Sequence, residues 1–594
     1  VRRISVVLCS ALLIFTAVAG FAYDRDEFLF LDEIEAGMTG IGKTIVAGTE
    51  IEAFDVTIVG VIDKPGTYDD FIIARASGSV IDRSGGIAHG MSGSPVYVDG
   101  KLIGALSRAW HWEKDPTPLF LITPIENMLE VIDDVNARSG DFGSSVTSIE
   151  DGNAQEDVSP ENNATALWVS GLSGRALDLL MDGVDPQDVP EGLIGEFLSL
   201  GIAPSLQGLS SYGLSLVPFS GGVTGDASDE DPPLEAGSAF GVALALGDVD
   251  IGSGGTITYR DGDTLVGFGH NFLFGGDVAF PLTTAKIYDT ISGYDASYKL
   301  GSLGEPVGAI LEDRWAGIGG VIGPSVEMVD LSYGIENDDT GAQRDLAIQL
   351  VDAPDLMFPL LLATGFEAID HSLDRVGPGT VSVEYRISGD GMPFPLERHD
   401  VFLSTLDIAL YPPWQLAWLV TILQYNAFAD PEIDDIEIEM DVTEDLRAMQ
   451  INHLELDSPI YQPGDIVQYW VELQTYQGEK QIVNGALRIP DELIGDFIIV
   501  RAYSGPRARE KGETAKEFAD LGELIQEIRQ IPSYDTLTVE LFALDLFSPY
   551  TDALYGIEEE AADFPGYYLY GEREVSALLL PSSAAGNVSP DKKR

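Results

Sequence analysis

Residues 85 to 106 read GGIAHGMSGSPVYVDGKLIGAL. Gly90, Met91, Ser92, Gly93, Ser94 and Pro95 make a run of mostly small residues that leads into alternating apolar strand residues. Hydrolytic serine chemistry needs a hydroxyl on an exposed turn, a base to take its proton, and backbone N–H groups aimed at the developing oxyanion. Ser92 can supply the hydroxyl. Gly90, two residues earlier, lets the chain turn so that the N–H groups of Gly90 and Ser92 face one pocket, and Pro95 fixes the exit. The Gly-x-Ser-x-Gly elbow of the α/β-hydrolases is not met, because position 94 is Ser. A purely structural hairpin turn shows the same composition, so the base decides.

That base must be a histidine or a lysine, and the chain holds six histidines. His89 is too close to Ser92 in sequence to reach around the turn. His111 follows an aromatic-rich loop, and His371, His399 and His453 sit among charged residues, as surface positions do. His270 is the strongest choice, since Gly267 and Gly269 bracket Phe268 at the end of an apolar strand pattern and give the backbone freedom to present an imidazole. Other chemistries find less support. There is no His-Glu-x-x-His run, no Gly-x-x-x-x-Gly-Lys phosphate loop and no complete calcium loop, so neither metal nor cofactor is expected. Acidic runs such as 430–445 read as solvated faces. Cys9 is the only cysteine, which excludes disulfides, a cysteine nucleophile and cysteine-metal sites in a chain that has lost its first residues. With 97 acidic against 33 basic residues the formal charge is −64, which argues against a nucleic-acid partner because no basic field is present to displace counterions.

These residues must be carried by several modules, since 594 residues exceed what one core organises. Residues 1–22 carry Arg2 and Arg3, an apolar run and small residues up to Ala22, the pattern of a signal peptide. Export to the periplasm or exterior is expected, with no membrane contact after cleavage and an anchor if the segment is retained. Residues 28–137 show short β-branched runs between Gly, Asp and Pro, as in a small barrel, closed by a helix with Thr123 as N-cap and Pro124 in its first turn. Residues 138–235 read as an acidic Gly/Ser-rich linker and insert, with one helical patch at EGLIGEFLSLG, 191–201. Residues 236–330 are β-rich and contain TITYRDGDTLVGFGH, a hairpin turning on Asp261-Gly262 and ending at His270. Residues 331–445 mix strand and helix patterns, and 412–428 is too short and too interrupted by polar residues to span a membrane, so it reads as a buried helix in which Trp414 and Trp418 share one face. Residues 446–594 read as a β-sandwich-like domain with one helix. The whole is mainly β with some α.

Asp82 to Leu106, with Asp115-Pro116-Thr117 nearby, resembles the nucleophile region of the SpoIVB-type serine peptidases (stage IV sporulation protein B), which are placed among chymotrypsin-like enzymes. Gly255 to His270 is similar to that family's segment ending in its Gly-His general base. The resemblance implies a chymotrypsin-like β-barrel peptidase unit built from two segments, 28–137 and 236–330, with Ser92 as nucleophile and His270 as base. It implies a protein or peptide substrate, the protein's own chain or an envelope protein, cleaved through an acyl-enzyme. Two departures stand out. The serine segment here precedes the histidine segment, the reverse of the sporulation peptidase. The family's aspartate falls near Ser77, leaving Asp82 or Asp277 as the orienting acid. The competing expectation is a non-catalytic envelope scaffold or protein-binding protein that keeps the barrel.

Overall fold

The computed structural model describes residues 23, 26–64, 70–109, 116–138, 165–184, 206–217, 233–293, 296–493, 495–506, 518–544 and 555–580. The expected signal segment 1–22, the helical patch expected at 191–201, His111 and Asp115 lie outside them.

The first module is a closed six-stranded antiparallel barrel. In chain order its elements are β1 (Thr39–Thr44), β2 (Glu52–Ile62), β3 (Phe71–Ser77), α1 (Ser79–Ser84), β4 (Ala88–His89), β5 (Pro95–Val98), β6 (Lys101–Ala109), β7 (Leu119–Pro124) and α2 (Ile125–Arg138). The ring runs β1-β2-β3-β7-β6-β5. Strand alternation builds it: along β2, Phe54, Val56 and Ile58 point inward to a core shared with Ile72, Ala74, Val96 and Phe120. The β5–β6 hairpin turns on Asp99-Gly100, where both residues take positive φ (50° and 81°), as a type I′ turn requires.

The next elements are β8 (Thr165–Ser170), α3 (Gly174–Asp182), β9 (Leu214–Leu216), β10 (Ala239–Gly247), β11 (Asp250–Asp261), β12 (Thr264–Gly267), β13 (Gly276–Ile291), β14 (Ser297–Arg314) and β15 (Gly317–Ile322). Strands β10, β11, β12, β15, β14 and β13 pair in that order, each antiparallel, and β13 returns to β10. This is a second closed ring of six. The β11–β12 hairpin pairs Asp261 with Thr264, so its two-residue turn is Gly262-Asp263, one residue later than the expected Asp261-Gly262; Gly262, at φ +61°, takes the first central position. The expected linker 138–235 also contributes structure: β8 pairs with β11, β9 with β8, and α3 packs into the same core.

Beyond the second barrel the sheet continues through β16 (Met328–Asn337), β17 (Ala342–Val351), β18 (Gly379–Asp390), β19 (Leu396–Ser404) and β20 (Glu432–Thr443), in the order β19-β18-β20-β16-β17-β10. Two helices, α4 (Pro354–Leu373) and α5 (Tyr411–Gln424), lie in its core and are apolar nearly all round, as a fully buried helix must be. Trp414 and Trp418 are both buried there. Among the described residues no helix is long and apolar enough to cross a membrane. The chain ends in strands β21 (Ala448–Leu456), β22 (Ile460–Tyr461), β23 (Ile466–Thr475), β24 (Lys480–Arg488), β25 (Phe497–Ser504), β26 (Thr536–Leu544), β27 (Tyr555–Asp563), β28 (Tyr568–Tyr570) and β29 (Arg573–Leu579). They form two sheets, β24-β23-β21-β28 and β22-β29-β25-β26-β27, packed face to face over one apolar core, with a helix at Leu521–Gln530 docked on β19.

Candidate active site

Ser92 stands between the two barrels. β4 leaves the first barrel and pairs in parallel with β14 of the second, Ala88 opposite Ser297 and His89 opposite Tyr298. The turn that follows is held from both sides. The Gly93 N–H donates to Leu106 O on β6 at 2.8 Å, while the Thr256 N–H on β11 donates to Ser92 O at 2.8 Å. The Thr256 hydroxyl donates to Gly90 O at 3.2 Å and the Thr258 hydroxyl to Gly93 O at 2.8 Å. Thr258 is the extra residue of a bulge in β11, which aims its side chain at the turn. Gly90 and Gly93 take φ of +89° and +88°; a Cβ on Gly93 would lie 1.9 Å from Thr256 O and 2.5 Å from Phe268 N, so only glycine fits.

The histidine turn is tied the opposite way, from the second barrel onto the first. After β12 the chain runs through Phe268 and Gly269, both at positive φ (65° and 68°). Phe268 is buried in an aromatic cluster with Phe240 and Phe272, which holds its left-handed backbone in place. The Thr123 hydroxyl of β7 donates to Gly269 O at 2.6 Å. Thr123 was expected to cap α2; its hydroxyl is used across the barrel seam instead. A Cβ on Gly269 would meet Ala105 Cβ and Leu106 O, each at 3.1 Å. One further residue holds the loop beyond His270: the buried Asp313 carboxylate accepts N–H bonds from Phe272 (2.7 Å), Leu273 (2.6 Å) and Gly275 (3.1 Å).

Ser92 and His270 thus converge on one stretch of β6. The Ser92 hydroxyl donates to Ser107 O at 3.5 Å, and Ser107 is a bulge residue in the β6–β7 ladder. Arg108, the next residue, is the charge that acts on His270. No hydrogen bond joins the Ser92 hydroxyl to the His270 ring. The ring's Nδ1 lies 2.7 Å from Asn271 O. A carbonyl only accepts, so Nδ1 carries the proton and Nε2 keeps a lone pair, the tautomer a general base needs. Burial, reinforced by Arg108, pushes this imidazole down to about 4. The ring is therefore neutral over the ordinary pH range. Among the described residues the Ser92 N–H has no acceptor in the fold, which leaves it as an unused donor.

Neither expected acid stands at the ring. Asp277 is on β13, more than half exposed, and pairs with Arg314 at 2.5 Å. Asp82 is exposed on α1. The orienting partner of His270 is the Asn271 main chain, which no side-chain pattern announces. Thr256 and Thr258 carry no sequence signal of their role, and the one sign of Asp313 is Glu312-Asp313 at the end of an otherwise apolar strand run. Among the other histidines, His399 is not a free surface residue: its Nε2 lies 3.0 Å from Asp535. Among the described residues no group of three or more His, Cys, Asp or Glu is placed to hold a metal.

Residues 25–129 match the family model of the SpoIVB peptidase S55, so the Ser-bearing barrel is similar to that of a serine peptidase. The match covers the whole Ser92 turn and ends before the His270 segment. No curated protein and no solved structure matches the chain.

Proposed function

We propose that the two barrels, the first matching a serine peptidase family, form an exported serine endopeptidase that cleaves peptide bonds of its own chain or of envelope proteins through an acyl-enzyme. The observation that carries this reading is the convergence of the Ser92 turn and the His270 turn on Leu106-Ser107-Arg108, each turn tied to the barrel it does not belong to. Ser92 attacks the scissile carbonyl. His270 Nε2 takes the hydroxyl proton and returns it to the leaving amine, with Asn271 O in the place an aspartate often fills. The N–H groups of Gly90 and Ser92 hold the oxyanion. Engagement requires the Ser92 hydroxyl to leave its long contact with Ser107 O and rotate toward the ring, a change of side-chain torsion consistent with the loose geometry common in unliganded sites.

The missing serine–histidine hydrogen bond and the absence of a carboxylate at the ring favour a second reading, a non-catalytic scaffold that keeps the barrels for binding. Fluorophosphonate labelling separates the two. The peptidase reading expects modification at Ser92, located by mass spectrometry, that disappears in Ser92→Ala and in His270→Ala. A folded wild-type chain that takes no label supports the scaffold.

A further inference from the structure

Lys299 on β14 is 1% exposed, and its Nζ lies 3.0 Å from the Thr44 hydroxyl and 3.4 Å from the Thr256 hydroxyl. No carboxylate pairs with it among the described residues, and burial alone pushes the amine down to about 7. A methionine would fill the same space without the cost of desolvating an ammonium. An ionisable group kept where an apolar one is cheaper points to a role other than packing.

Its neighbours supply that role. The stem of Lys299 lies directly beneath Gly90, where a Cβ would come within 3.2 to 3.4 Å of three lysine carbons. Thr256, which contacts Nζ, is the residue that grips the serine turn at two points: its hydroxyl on Gly90 O and its N–H on Ser92 O. Below about pH 7 this group is an ammonium, which offers donors only. The Thr256 oxygen, accepting from Nζ, must therefore turn its own proton toward an acceptor, and Gly90 O is in reach.

We propose that Lys299 is a positioning residue for the Ser92 turn: its ammonium orients the Thr256 hydroxyl, which fixes the Gly90 carbonyl and, with it, the backbone carrying the Gly90 and Ser92 N–H groups. The inference rests on the reading of Ser92 as nucleophile. Without the ammonium, the Thr256 hydroxyl can rotate away, and Gly90 at φ +89° has the freedom to reorient its peptide planes.

The test uses the full chain and a fluorophosphonate probe, with the maximal inactivation rate and the half-saturating probe concentration measured separately, beside thermal unfolding. Lys299→Met is expected to lower the maximal rate about tenfold or more while changing half-saturation less than about twofold, since a positioning effect falls on the bond-forming step. Its unfolding midpoint is expected to equal or exceed that of the wild type. Thr256→Val, which exchanges one hydroxyl for a methyl, is expected to act in the same direction, and the double variant to be no slower than the slower single one, because both break the same relay. Thr256→Val carries the test alone if Lys299→Met does not fold. Labelling of Lys299→Met at the wild-type rate overturns the inference. So does slower labelling accompanied by a lower unfolding midpoint, or multiplicative effects in the double variant. A wild type that does not label overturns the peptidase reading and this inference together, whereas a labelled wild type beside an equally labelled Lys299→Met overturns this inference alone.

Discussion

The Thr123 hydroxyl donates to Gly269 O at 2.6 Å, joining the last strand of the first barrel to the residue before His270. The bond is buried and spans the seam on which the candidate site depends. Thr123→Val keeps the shape and leaves a buried carbonyl without a partner, a loss of about 1–3 kcal/mol. Urea unfolding should show that loss, and Ser92 labelling should slow at least severalfold because the histidine turn loses its tether. Unchanged labelling would mean that the turn is held by its aromatic cluster alone.

Gly93→Ala is expected to be far more damaging than Gly100→Ala. Both residues take positive φ, but Gly100 has open space around it, whereas a Cβ on Gly93 would collide with Thr256 O and Phe268 N. Gly100→Ala should cost about 1–2 kcal/mol from backbone strain. Gly93→Ala should add overpacking of about 1–3 kcal/mol or more, readable as a larger drop in unfolding midpoint, with loss of labelling.

Burial holds the His270 imidazole at about 4, below the ordinary 6.5. A base works only unprotonated, so labelling of Ser92 is expected to stay level from about pH 5 to pH 6, below the range in which Lys299 loses its proton, and to fall as pH drops through about 4. The unfolded chain binds the extra proton between about 4 and 6.5, so this group's contribution to stability declines as pH is lowered across that window. A labelling limb centred near 6.5 would show a solvated ring and overturn the buried, neutral imidazole.

Asp313→Asn tests the support behind the histidine. The carboxylate accepts three main-chain N–H bonds, which oppose the upward push of its burial. An amide brings an NH2 group to face N–H donors, and a loss of about 1–3 kcal/mol is expected for each bond left unmade. By contrast, Asp82→Asn and Asp277→Asn should leave labelling within about twofold, as expected of exposed residues that do not contact the ring. A large loss in either would place that carboxylate back in the site.

Much of this was legible from residue order because it is local. Gly90, Gly93 and Pro95 announce a constrained turn, Asp99-Gly100 announces a type I′ hairpin, and the alternation in β2 announces which side faces a core, since each depends on a residue's own backbone preferences or on period-two burial. Ser92 and His270 stand out as candidates on that basis and on the family resemblance. Strand partners were not legible, because pairing is chosen by the best burial available to the whole chain; nothing in β13 states that it closes a ring through β10. The same reason hid the supports of the site. Thr256 and Gly90 are 166 residues apart, Thr123 and Gly269 146 apart. The sequence by itself determined the two turns and the chemistry their side chains can do. Only the tertiary structure decided that they meet on Leu106 to Arg108, that a main-chain carbonyl orients the histidine, and that a lysine lies buried beneath the serine turn, because each of these is a contact between segments that have no local reason to know of one another.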